Sequence, residues 1–475
     1  MASPCDTGAV TELWQYSALE LAEKIRSGDT TSRAVVEAHL ARIDDVNAHL
    51  NAVVRRLDDT ALAAADDADA AVERGDELGV FHGVPITVKE NIDLVGSPTT
   101  QGVPALADAL PSSDAPVTER MKAAGAVPIG RTNLPDLGLR IHTDSSLHGL
   151  TRNPHHPGRT AGGSSGGEGS ALASGMSPLG LGNDIGGSLR NPAHCCGIAS
   201  LKPTTGAVPN ASSIPPEDPM LSSQQMLVEG PMARRVADVR AAFGVLAGPH
   251  VRDPLSVPAR FTALEPGEHL RVAVLAEPPG GDTHPEIAEA VRSAGRVLAE
   301  QGHEVVEATP PMYAETIDAW AALLTQHLAV ARPLLAMVMG PDAGGLLDEL
   351  LDGVPESTVE SMVQLQVLRH QIAREWSAFH AEYPVVISPT WAMPAFEHGA
   401  DIGSSGDLVR ETLRPVLPSN FLGTPAAVVR HGVADGLPVG VQVMGDRFTD
   451  LRCLDIAGQI ETASDPLLPT DPVTA

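Results

Sequence analysis

The chain has 475 residues, 43% hydrophobic but only 3% aromatic, so Leu, Val, Ala and Ile must fill a core large enough for one big domain or two or three smaller ones. Its formal charge of −28 argues against a nucleic-acid-binding surface, which needs Lys and Arg opposite phosphates, and is read as a device for solubility. Four cysteines with no CxxC or Cys/His spacing exclude a disulfide scaffold and carry no zinc signature, so no metal and no cofactor are expected.

The first ten residues lack a basic run and an apolar core; no secretory leader is expected, and the location is read as cytoplasmic. The next seventy residues read as helices. Ser17-Ala-Leu-Glu20 fits a capping box, and "AVVEAHLARIDDVNAHL" and "TALAAADDADAAVER" have helical spacing. "GVPITVKENIDL" is a short apolar, β-branched run, a buried strand ending near Lys89. A helix at "VTERMKAAG" leads to a strand at Ala126–Gly130. Two glycine clusters follow, "AGGSSGGEGS" at Ala161–Ser170 and "NDIGGSLR" at Asn183–Arg190, and then a Pro/Ser-rich stretch, 202–231, expected to be loop. "RVAVLAE", "PEIAEAVRSAGRVLAEQG" and "HEVVEA" read as strand, helix and strand. The most apolar window, Trp320–Gly340, is interrupted by Gln326, His327, Arg332 and Pro333, which argues for a buried helix pair and against a membrane span. A long helix over 357–382 precedes strands at "PVVISPT", "AAVVRHG" and "PVGVQVMG", and "LRCLDIAGQIE" closes the chain as a helix.

Strands alternating with helices, without a repeat period or a charged linker, predict an α/β fold. The expectation is a single large α/β/α sandwich with a mixed, mostly parallel central sheet flanked by helices. One domain is expected over 1–475, with a catalytic core at about 80–240 and an N-terminal helical segment at about 10–78.

The glycine clusters need a reason, because ordering glycine is costly. "GLGNDIG" is one residue too long for the GxGxxG fingerprint, and no GK[ST] follows any glycine run. GxSxG fits at Gly162–Gly166 and at Gly163–Gly167, but that elbow needs a late histidine, and nothing singles out His380 or His398. Two serines and a lysine offer acyl transfer without histidine. A neutral lysine takes a proton, through one hydroxyl, from a second hydroxyl that attacks a carbonyl. This requires burial to lower the lysine pKa, and arginine cannot substitute because it stays protonated. The chain has four lysines, Lys24, Lys89, Lys122 and Lys202, against 28 arginines. A lysine at the end of a buried strand is therefore conspicuous.

"GGSSGGEGSA", "GNDIGGSLRNPAHCCGIASLKPT" and "GVPITVKENID", with "GAVPIGRTNLPDLG", "YPVVISPTWAMPAF" and "NFLGTPAAVVRHGVADGLPVGVQVMG", resemble the amidase signature family of serine hydrolases over nearly the whole chain. The resemblance implies Ser188 as nucleophile, Ser164 as relay and Lys89 as base, with a cis peptide at Gly163–Ser164. It implies an oxyanion hole from the backbone N–H groups of Ile185, Gly186, Gly187 and Ser188. Ser165, Asp184 and Arg190 match positions that orient the site; Ser165 is also read as a helix N-cap, and Asp184 with Arg190 as a buried ion pair. Lys202, in "LKPT", matches too and is read as structural. Asn183 stands where threonine is common, and Arg131 where lysine is.

The implied activity is metal-free hydrolysis of carboxylic amide C–N bonds through an acyl-enzyme, with esters, anilides and carbamates as side substrates. The partner is a small-molecule amide, with no nucleic acid and no membrane; a homodimer is implied at family level. The alternative is the glutaminase subunit of a tRNA-dependent amidotransferase, disfavoured because Leu413–Pro425 holds no carboxylate for the ammonium of glutamine. Pocket candidates are "HTDSSLHG" and "PTWAMPAF".

Overall fold

Period-two alternation puts successive side chains of a strand on opposite faces of its sheet. Here both faces are apolar. Ala427 and Val429 enter one core while Ala426 and Val428 enter another, and Val385 and Ile387 divide from Val386 in the same way. A sheet with two greasy faces must be covered twice, and helices do this. Helices Val236–Leu246, Pro285–Glu300 and Asp450–Glu461 pack into the first core. Helices Arg190–Cys196, Tyr313–Leu335 and Val359–Glu382 pack into the second. The computed structural model describes residues 11–403, 406–464 and 468–474; Cys5 and the expected absence of a leader lie outside them.

The sheet has eleven strands. From edge to edge they are Val53–Arg56, Val127–Thr132, Pro85–Lys89, Leu179–Asp184, Val228–Ala233, Ala199–Lys202, Ala426–Ala434, Leu437–Gly445, Val385–Pro389, Arg271–Val274 and Glu304–Glu307. The mixed sheet flanked by helices agrees with the expectation, but its parallel majority does not. Four pairings are parallel, two at each end. Six are antiparallel, five of them consecutive through the middle. Alternation of strand and helix along the chain implies parallel neighbours only when each helix is a crossover. In the middle of this sheet Ala426–Ala434 and Leu437–Gly445 form a hairpin instead.

Three local expectations also change. The N-terminal segment contains an edge strand, Val53–Arg56. The 202–231 stretch holds a short helix, Leu221–Met226, and the start of strand Val228–Ala233. Residues 320–335 of the apolar window belong to one helix, Tyr313–Leu335, with Leu323 and Leu328 buried while Val330 and Leu334 are exposed, and the rest of the window is a turn. Among the described residues no helix is long and apolar enough to cross a membrane.

Strand Pro85–Lys89 is buried along its whole length and runs parallel to Leu179–Asp184. The C-terminal ends of the two therefore coincide, at the kind of sheet edge where α/β proteins collect ligands. The second serine cluster follows the end of Leu179–Asp184 directly, and Ser164 of the first is hydrogen-bonded to Lys89 at the end of the other strand.

Candidate active site

Lys89 is the last residue of its strand, and none of its surface is exposed. Its Nζ donates to Ser164 Oγ at 2.7 Å and to Asn183 Oδ1 at 2.7 Å. Asn183 is held in turn by Asn91, whose Oδ1 accepts from Asn183 Nδ2 at 3.0 Å. Burial lowers the Lys89 pKa from 10.5 to about 7, outweighing the opposing fields of Asp184, Glu168 and Glu229. That displacement is on the order of 5 kcal/mol against the ammonium form. Burying Ile86 and Val88 contributes roughly 1.5–3 kcal/mol each, a gain of comparable size from the same strand. Below the amine lies Glu168, fully buried, bonded by the hydroxyls of Thr87 and Thr132 and pushed up to about 7 by desolvation.

Ser164 precedes helix Gly166–Ala173, and the Gly163–Ser164 peptide is cis. The surrounding glycines answer a steric demand. A Cβ on Gly163 would lie 2.6 Å from the backbone of Ile141, and one on Gly167 would lie 2.4 Å from that of Asn133. Ser165 occupies the N-cap position, but its hydroxyl does not cap the helix. The Thr143 hydroxyl accepts from Gly166 N–H instead, while Ser165 Oγ donates to the Asn183 carbonyl at 3.5 Å and Ser165 N–H to the Ser188 carbonyl at 3.3 Å. Ser165 thus ties the two clusters together.

Ser188 sits in the turn between strand Leu179–Asp184 and helix Arg190–Cys196. Asp184 and Arg190 form a fully buried ion pair, Nε to Oδ2 at 3.0 Å and Nη2 to Oδ1 at 3.1 Å. Burial pushes the Asp184 carboxyl up, but Arg190 and Asn420 more than reverse this, and it rests at about 2. The ionised carboxylate clamps the turn by accepting from the N–H groups of Gly187, at 2.7 Å, and Leu189, at 3.1 Å. This corrects one expectation: the Gly187 amide is engaged by Asp184 and is not free to serve an oxyanion. Glycine is required there nevertheless, because φ is +97° and a Cβ would meet Asn191 Oδ1 at 2.2 Å. Among the described residues, the N–H groups of Ile185, Gly186 and Ser188 have no protein acceptor.

Ser188 opens onto a cavity of about 400 Å³. Its walls come from Ile185, Ile317, Trp320, Leu324, Leu346 and Leu417, with Asp318, Glu349 and Arg410 also among its lining residues. Neither sequence candidate for the pocket, "HTDSSLHG" or "PTWAMPAF", lines it. Helices Tyr313–Leu335 and Pro341–Leu351 do, and they carry no motif. No histidine lines it among the described residues, so the site lacks what a GxSxG elbow would need. Hydrogen bonds from Lys89 reach Ser164, but the structure records none between Ser164 and Ser188. Among the described residues one group elsewhere has metal-ligating chemistry, His284, Glu286 and Asp435, with ligand atoms within 4.8 Å of one another; none of the three lines this cavity.

Sequence reading placed Asn183 where threonine is common without naming its partners, and gave Asn191 and Asn420 no role. Asn191 accepts from Trp391 Nε1 and donates to the Gly163 carbonyl; Asn420 donates to Asp184. The signal for these last two was their place inside the motifs, in "SLRNPAH" and "NFLGTP".

Residues 34–454 match the Amidase family model. The chain is 40% identical over 461 residues to an indoleacetamide hydrolase of Bradyrhizobium diazoefficiens, covering 96% of this chain and 88% of that protein. It is 31% identical to a glutamyl-tRNA(Gln) amidotransferase subunit of Salinispora tropica, covering 97% and 99%. A bacterial aryl acylamidase of the amidase signature enzymes superposes with a TM-score of 0.83 at 28% identity, covering 96% of this chain and 97% of the other.

Proposed function

The chain belongs to the amidase family and hydrolyses carboxylic amides at the C–N bond, and from that premise we propose that its substrates are primary amides with an apolar aryl or alkyl acyl group, of the indoleacetamide type, and that Ser188, Ser164 and Lys89 do the chemistry. Neutral Lys89 takes the Ser164 proton as Ser164 takes that of Ser188, and Ser188 Oγ bonds to the carbonyl carbon. The carbonyl electron pair moves to oxygen, where the free N–H groups of Ile185, Gly186 and Ser188 receive it. The protonated amine of Lys89 then returns a proton, through Ser164, to the leaving nitrogen. The C–N bond breaks and ammonia departs. Water, deprotonated by the same relay, attacks the ester and releases the acid.

The observation that carries this reading is the 2.7 Å bond from a fully buried Lys89 to Ser164. The apolar cavity beside Ser188 supports the acyl preference. A glutaminase reading has support from the amidotransferase relative, but the segment 413–425 contributes no carboxylate. The test is a panel of indoleacetamide, an anilide, an ester, a carbamate and glutamine, run beside labelling by a fluorophosphonate. Indoleacetamide should be turned over fastest, and the label should map to Ser188. Preference for glutamine, or a label that persists in Ser188→Ala, would overturn the reading. We also propose a cytoplasmic homodimer with one catalytic domain per chain. Buried free thiols at Cys195, Cys196 and Cys453 support the compartment, and the family match over 34–454 supports the single domain. Light scattering at the monomer mass would remove the dimer.

A further inference from the structure

We infer that Trp320 is a positioning residue of the oxyanion site, acting through the peptide that joins Ile185 to Gly186. This rests on the assignment of Ser188 and its neighbouring amides made above.

A trans peptide is planar, and its C=O and N–H point in opposite directions. Holding the carbonyl of one residue therefore aims the N–H of the next. Each free amide of the Ser188 turn belongs to a peptide whose carbonyl is held by a donor. The Asp184 carbonyl, which aims Ile185 N–H, accepts from Asn420 Nδ2 at 3.5 Å. The Gly187 carbonyl, which aims Ser188 N–H, accepts from Asn191 N–H at 2.6 Å. The Ile185 carbonyl, which aims Gly186 N–H, accepts from Trp320 Nε1 at 3.0 Å. The intervening peptide is engaged on both sides, its Gly186 carbonyl by Asn191 Nδ2 at 3.3 Å and its Gly187 N–H by Asp184.

Asn191 lies within the helix that follows the turn, and Asn420 lies on the short helix Leu417–Leu422. Trp320 differs from both. It comes from the long helix Tyr313–Leu335, which forms a wall of the acyl cavity, and its ring is itself part of that wall. The indole also presses on the turn. A Cβ at Gly186 would lie 2.8 Å from its ring, so glycine at 186 and tryptophan at 320 fit as a pair. Trp320 is 7% exposed. Without the indole N–H the Ile185 carbonyl would lose its restraint, and the peptide could rotate the Gly186 N–H away from the developing oxyanion.

The test removes the N–H and keeps the ring. Trp320→Phe does so approximately. Replacement of Trp320 by benzothienylalanine, in which sulfur takes the place of the indole N–H, does so with the shape unchanged and guards against a folding defect in the phenylalanine variant. With indoleacetamide, or the panel amide turned over fastest, kcat should fall about 10- to 100-fold, less than the loss of about 10²–10³ for deleting an oxyanion donor outright. KM should stay within about threefold. The affinity for an indolyl trifluoromethyl ketone, which adds Ser188 Oγ to form a tetrahedral oxyanion, should fall in proportion to kcat/KM, while that for indoleacetic acid and the melting temperature stay unchanged. Unchanged kcat, or loss in KM alone, or equal losses for the ketone and the acid, would show that Trp320 only shapes the pocket. A fully active Trp320 variant beside an inactive Ser188→Ala enzyme overturns this inference alone; an active Ser188→Ala enzyme overturns the assignment beneath it.

Discussion

Two lysines are wholly buried in this protein, Lys89 and Lys202, and burial lowers both from 10.5 to about 7. At Lys89 only acids, Asp184, Glu168 and Glu229, oppose the shift; at Lys202 Arg190 adds to burial, against Asp184 and Asp450. The two amines are thus poised alike. Their contacts are not. Lys202 Nζ donates to the Pro203 carbonyl at 2.8 Å, a group that can accept but cannot pass a proton on. Lys89 Nζ donates to a hydroxyl and to the Asn183 carbonyl, and the hydroxyl can pass a proton in either direction. A perturbed pKa is therefore no mark of catalysis by itself. The distinguishing feature is an exchangeable hydroxyl, that of Ser164, within 2.7 Å of the amine.

The sharpest way to break the comparison is to delete each amine. Lys89→Ala should lower kcat/KM for an amide by about 10³–10⁵, a general-base loss combined with loss of the acid that protonates the leaving nitrogen. Lys89→Arg should not rescue it. Should Lys202→Met lose as much, the contrast between the two lysines fails; the expected loss is less than about tenfold, measured on the same amide.

A second effect separates the two roles proposed for Lys89, base and then acid. A nitrophenyl ester with the same acyl group expels a leaving group that needs no proton. In Lys89→Ala the ester rate should fall at least about tenfold less than the amide rate. Equal losses would mean that Lys89 is not the proton carrier.

pH distinguishes the amines next. Amide kcat/KM should rise as pH passes through about 7, where Lys89 becomes neutral, in wild type and in Lys202→Met alike, and the limb should vanish from the residual rate of Lys89→Ala. Stability should follow both amines. Below about pH 7 each lysine is protonated in the folded and the unfolded chain. Between about 7 and 10.5 the unfolded chain keeps protons that the folded chain has released, so stability rises with pH, by up to about 1.4 kcal/mol per pH unit per lysine. Lys202→Met should lose its share of that rise in denaturant titrations while keeping the limb in the rate. A limb that disappears with Lys202 would reverse the two assignments.

The smallest expected effect is at Asn183. Its carbonyl oxygen favours the ammonium form of Lys89, so Asn183→Ala should move the limb to lower pH by less than about one unit, read from the pH–rate profile. A shift to higher pH would show that the side chain serves mainly to keep water from the amine.

How legible was the site? Lys89, Ser164 and Ser188 could be singled out as candidates because short motifs tie chemistry to a particular backbone, and the backbone constraint is itself written in glycine. The same motifs placed four amides in the oxyanion hole, and here linear reading went too far. Gly187 is as glycine-like as its neighbours in the sequence; only the fold puts the Asp184 carboxylate 2.7 Å from its N–H. Ser165 was read as a cap on the strength of its position, and Thr143, 23 residues distant from Gly166, took that task.

The amino-acid sequence by itself determined the alternation of strands and helices, the apolar run that buries Lys89, and the two glycine-lined serines, because each is set by local periodicity or local backbone demand. It did not determine the direction of the central strands, since a hairpin and a crossover can join equally apolar runs. It left the cavity beside Ser188 unmarked as well. That cavity is walled by helices more than a hundred residues downstream of Ser188, whose leucines and isoleucines look like any others until tertiary packing leaves a space between them. Packing alone brought Trp320 to the carbonyl of Ile185, because a hydrogen bond across 135 residues has no periodicity to betray it.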